Sequence, residues 1–82
     1  MYKVLLKTSA KKELDSLPAS VQKRISAAID ELRRMGIHAK HTIKPQAPIG
    51  GYRKRVGEYR ILFDRDAEII LVHQISKRSE AY

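Results

Sequence analysis

The stretch "GGYRKRVGEYRILF", residues 50–63, gathers Arg53, Lys54, Arg55 and Arg60 around a Gly-Glu pair. A guanidinium is permanently charged and grips phosphate oxygens with two prongs, so the chemistry this cluster suits is the binding of a phosphodiester. A second set closes the sequence: Lys77, Arg78 and, at the last position, Tyr82. His38 and His41 stand at i, i+3, which invites a metal, but no Cys, Asp or Glu nearby completes a ligand set. No metal and no cofactor are therefore expected. His73 lies inside the apolar run "IILVHQI", where a satisfied core or edge histidine is the plainer expectation than a catalytic one.

Eighty-two residues are enough for one domain, spanning 1–82, with a core that is small but sufficient without a staple. Cysteine is absent, which removes disulfides and thiolate metal sites and fits a reducing compartment. Apolar runs are short, and "MYKVLLK" is not a signal-peptide pattern, so no membrane span is expected and the cytoplasm is the expected location. Lys and Arg number 17 against 9 Asp and Glu, a formal net charge of +8. A small chain this basic suits a polyanionic partner: nucleic acid, an acidic protein or an anionic surface.

The elements that would position these residues follow from periodicity. "YKVLLK" reads as a strand with Val4 and Leu6 on its buried face. Thr8 or Ser9 can cap a first helix, "SAKKELDSL", carrying Ala10, Leu14 and Leu17 on one side. Pro18 stops it and starts a second helix that runs to about Met35, with Gly36 suited to the residue past its end. Val21, Ile25, Ala28, Ile29 and Leu32 form its apolar stripe, while Lys23, Arg24, Asp30, Glu31, Arg33 and Arg34 read as a solvated mixed-charge surface. Residues 37–51 are aperiodic, with Ile37, Ile43 and Ile49 available to pin them to the core. Three strands follow, near 52–56, 59–64 and 68–75. The order β-α-α-β-β-β predicts an α+β fold of two layers, a helical hairpin on one face of a mainly antiparallel four-stranded sheet.

If Gly57-Glu58 is the whole hairpin loop, Val56 faces Tyr59, Arg55 faces Arg60 and Arg53 faces Leu62. Alternation then puts Arg53, Arg55, Arg60 and Leu62 on one face, and Tyr52, Val56, Tyr59, Ile61 and Phe63 on the other, under the helices. Lys54 falls among the apolar set and is expected to snorkel outward from an edge strand. Arg55 opposite Arg60 is unfavourable by itself. A phosphate held between the two forks would offset the repulsion; side chains splayed into water are the alternative. Residue types alone support a basic sheet face for a phosphate backbone, not an enzyme.

The combination of this order with "YRKRVGEYRILF" and the terminal "KRSEAY" resembles the RelE family of toxins, within the RelE/ParE superfamily, over nearly the whole chain. The resemblance implies the toxin of a type II toxin–antitoxin system, an endoribonuclease (mRNA interferase) that cleaves messages in the ribosomal A site without metal. The ribose 2′-hydroxyl attacks the adjacent phosphate and the 5′-oxygen leaves. By the same resemblance Arg60 and Arg78 would stabilise charge on the phosphate and leaving oxygen. Tyr82 would stack on a base or orient the 2′-hydroxyl. Arg55 would shape the field at the phosphate, and Arg53, Lys54 and Lys77 would bind RNA. The implied partners are a cognate antitoxin, acidic and partly disordered, mRNA in the ribosome, and operator DNA for the toxin–antitoxin complex.

The chain departs from that pattern where relatives commonly carry lysine: Arg53 and Arg55 cannot be deprotonated and so cannot act as the base. The proton would go to Lys54, Lys77, Glu58, Glu80, Tyr82, His73 or a ribosomal group, and a weak or ribosome-dependent enzyme is expected. Two other readings share the fold. One is a ParE-like inhibitor of DNA gyrase, and the other a non-catalytic module that binds RNA or ribosomes.

Overall fold

A computed structural model describes residues 1–43 and 51–77. The expectations for Ile49, Arg78, Glu80 and Tyr82, and for the side chain of Ile43, lie outside the described residues. The chain forms β1 (Lys3–Leu6), α1 (Thr8–Asp15), α2 (Ala19–Met35), a 3-10 turn (Gly36–His38), β2 (Thr42–Ile43), β3 (Tyr52–Val56), β4 (Tyr59–Asp66) and β5 (Ile69–Lys77). The sheet order is β1-β5-β4-β3-β2; β1 runs parallel to β5 and the other pairs are antiparallel. This is the expected two-layer α+β architecture, with the two-residue β2 added at the β3 edge.

The helix limits follow from local chemistry. Pro18 occupies the cap position before α2, and Gly36 ends it at φ 61°, donating its N–H to the Leu32 carbonyl. A Cβ on Gly36 would stand 2.4 Å from the Tyr2 ring, so the close approach of β1 also depends on this glycine. The expected Thr8 or Ser9 cap of α1 is not formed. Lys7 holds the cap position, and no side chain caps this helix. The reason is tertiary: the Lys7 N–H is held by the Val72 carbonyl at 3.0 Å, so β1 passes directly into the helix.

The core lies between the helices and one sheet face. Ile25, Ala28, Ile29 and Leu32 of α2 meet Ile61 and Phe63 of β4 and Ile70, Val72 and Ile75 of β5. Tyr52 stacks on Phe63, its neighbour across the ladder, with ring centroids 5.5 Å apart. The spacing of buried residues along β5 changes after Val72 because the β4–β5 register slips between Leu62 and Phe63. Leu62 pairs with Gln74 and Phe63 with Val72, leaving His73 as the extra residue of a β-bulge. The bulge returns Ile75 to the core face, while His73, next to the buried Val72, lies on the other. No helix among the described residues is long and apolar enough to cross a membrane.

Candidate nucleic-acid interface

The hairpin has the expected register: Val56 pairs with Tyr59, Arg55 with Arg60, and Arg53 with Leu62. Gly57, at φ 60°, supplies the left-handed residue that a two-residue link needs. With Ile61 and Phe63 in the core, alternation turns Arg53, Arg55, Arg60 and Leu62 toward the face without helices. The structure therefore brings three of the sequence-identified arginines together. Arg55, on the flanking strand, is exposed; Arg60, on the central strand, is only 7% exposed. A charge so far removed from water interacts with an anion through a lower effective dielectric, which strengthens the contact.

Lys54 is not with them. It points under α2, is 2% exposed, and its Nζ lies 3.0 Å from Glu31 Oε1 while also donating to the Lys40 carbonyl. The expectation that its stem snorkels outward is thus corrected: an acid on the helix and a backbone carbonyl satisfy the ammonium inside the protein. The second Glu31 oxygen accepts the Lys40 N–H at 2.9 Å. These two donors, the backbone N–H foremost and the Lys54 ammonium second, hold the Glu31 carboxyl below its ordinary range, against the opposing effect of burial. Lys77 is exposed at the end of β5, level with Tyr59, on the Ile75 side of the strand.

His73 reaches Asp64, with Nε2 and Oδ2 2.5 Å apart. Asp64 alternates with Phe63 and so lies on the arginine face, and His73 must lie there too. As the neighbour of the buried Val72, it takes this face by simple alternation. It is a partnered histidine, as expected, on the uncovered face of an interior strand. The same face turns apolar toward β1, where Leu5 and Ile69 are each 42% exposed.

The model of the ParE toxin of type II toxin–antitoxin systems, parDE, matches residues 4–82. The chain belongs to this family. It is a type II toxin–antitoxin toxin of the RelE/ParE superfamily, as the sequence resemblance implied. Solved structures similar to the toxin include RelE with RelB from Methanococcus jannaschii, at 25% identity and TM-score 0.78, covering 95% of this chain and 94% of that one. The archaeal RelE–RelB complex from Pyrococcus horikoshii OT3 gives 24% identity and TM-score 0.77, with 98% of both chains covered. The YoeB dimer from Staphylococcus aureus gives 16% and 0.75, covering 92% of this chain and 94% of that one, and bears on the fold alone. No curated protein sequence matches the toxin.

Proposed function

We propose that this toxin is a ribosome-dependent mRNA endonuclease, and the observation that carries the reading is the row Arg53, Arg55 and Arg60 on the uncovered sheet face. The 2′-hydroxyl gives up its proton as its oxygen bonds to phosphorus, and the bond to the 5′-oxygen breaks as that oxygen takes up a proton. This leaves a 2′,3′-cyclic phosphate and a 5′-hydroxyl. Negative charge grows on the phosphoryl oxygens along this path, and fixed guanidinium groups lower its energy. Arg60, nearly enclosed, is assigned to the phosphoryl oxygens with Arg55. Arg53 holds the neighbouring backbone, and Arg78 stabilises the leaving oxygen. Tyr82 stacks on a base or orients the 2′-hydroxyl, and Lys77 adds positive charge toward the RNA.

Lys54 serves the site indirectly. Its ion pair with Glu31 fixes β3 against α2 and so sets where Arg53 and Arg55 project. That pairing also removes Lys54 as the proton acceptor. A cognate antitoxin, acidic and partly disordered, offsets the net charge of +8 and covers the apolar Leu5 and Ile69. The toxin acts in the cytoplasm, and its complex with the antitoxin binds operator DNA.

The test is cleavage of a message on programmed ribosomes, mapped by primer extension, with Arg60→Ala alongside the wild type. A-site cuts by the wild type and a loss of about 100-fold or more in Arg60→Ala support the reading. Growth arrest with intact messages would sink it and favour the gyrase reading, which the parDE description of the family keeps in view. A supercoiling assay then decides.

A further inference from the structure

A cleft of about 560 Å³ lies on the other side of β3 from the arginine row, between the β2-side edge of that strand and α2. Arg24, Glu31, Lys40, His41, Arg55 and Gly57 are among its lining residues. Among the described residues β2 pairs with β3 at Arg53 and Lys54, and beyond Lys54 the strand is held to this side by one bond, from the Arg55 N–H to the His41 carbonyl at 3.0 Å.

The charge balance of this cleft is one-sided. Among the described residues Glu31 is its only carboxylate, and both of its oxygens are occupied, by the Lys54 ammonium and the Lys40 N–H. Elsewhere some cations have acids: Arg33 and Arg34 share Asp30, and Lys11 holds Asp15. Among the described residues, Arg24 and Arg55 have no ion pair, and the Lys40 ammonium acts on Glu31 only at longer range. Arg24 is moreover placed by the fold. A Cβ on Gly57 would stand 2.5 Å from its Nη2, so the guanidinium lies on the bare glycine of the hairpin turn, beside Arg55.

We infer that this cleft is a second phosphate site, which takes the sugar–phosphate backbone of RNA as it leaves the arginine face round the β3 edge. The inference rests on the RNA reading above. Arg55 joins the two surfaces, belonging to the row by register and to the cleft as a lining residue. Arg24 supplies a two-pronged donor set for phosphodiester oxygens and Lys40 a mobile point charge. Among the described residues no Phe, Tyr or Trp lines the cleft, and none of them offers a platform on which a base could stack. Recognition there is of backbone charge, independent of sequence.

Binding of fluorescein-labelled 12-nucleotide RNAs of two unrelated sequences, titrated between about 50 and 200 mM salt, tests this. The variants are Arg24→Ala/Lys40→Ala and a control of equal charge change away from the cleft, Lys12→Ala/Lys23→Ala. The cleft variant should bind both RNAs about tenfold more weakly at low salt and lose about 1.4 from the slope of log K against log salt, 0.7 for each single-strand contact. Its melting temperature should match the wild type, and the control should retain the wild-type slope. A cleft variant indistinguishable from the control overturns the second site, whatever the ribosome assay shows. If the wild type binds no RNA, the inference falls with it. Tighter binding of a glutamate 12-mer than of RNA, lost in the cleft variant, would make this an acidic-protein site instead. Absence of cleavage with RNA binding still dependent on Arg24 and Lys40 would overturn the nuclease reading alone.

Discussion

The Lys54 Nζ lies 3.0 Å from Glu31 Oε1, joining the β3 edge to α2 through an ammonium that is almost wholly buried. The pair sits between the two basic surfaces, with the arginine row on one side of β3 and the cleft on the other. It also neutralises Glu31, the only acid among the described residues that line that cleft. Removing one partner strands the other. Lys54→Met or Glu31→Gln should each cost about 2–4 kcal/mol, read by urea denaturation, with Glu31→Gln the worse because it leaves the more buried charge uncompensated. The double variant should recover part of the loss, as expected for coupled neighbours.

The same carboxyl gives the fold a pH dependence. Its folded-state value is depressed, so its contribution is present above the ordinary value of 4.5 and fades as pH falls through the lower folded-state value. The melting temperature of the wild type should exceed that of Glu31→Gln at pH 7, and the gap should narrow as pH drops below about 4.5. A gap that persists to pH 2.5 would assign the effect to packing rather than charge.

Arg55 and Arg60 face each other directly across the ladder, an arrangement that costs stability in the free protein. Arg55→Thr should stabilise by about 0.5 kcal/mol, raising the melting temperature by about 2–4 °C, while weakening RNA binding for every sequence tested. Stability and affinity moving in opposite directions is the signature of a residue kept for an anion. A fall in both would show that Arg55 is structural.

Gly36 carries two demands at once: a φ of 61° and contact with the Tyr2 ring where a Cβ would stand. Gly36→Ala should cost about 2–4 kcal/mol by thermal or urea unfolding, from backbone strain and overpacking together. Tyr2→Ala in the same chain should relieve only the overpacking, leaving the strain.

What could be read along the chain was whatever depends on neighbours in sequence. The limits of α2 came from Pro18, an apolar stripe and Gly36, because caps and periodicity act within a turn or two. The Arg55–Arg60 register followed from a two-residue loop, since such a loop leaves one pairing and alternation then assigns every face. Tertiary structure decided whatever depends on residues far apart. Lys54 looked like a flaw in an apolar face because its acid lies on α2 and its carbonyl acceptor comes from Lys40. Ile75 returned to the core because a bulge at His73 shifts the phase of β5, and no local pattern marks it. The cleft exists only once the hairpin glycine meets Arg24. Sequence alone thus determined a basic sheet face and its three arginines. Which neighbouring charges remain available to an anion was decided by the packing of α2 on the β3 edge, since pairing and burial are properties of distance through space.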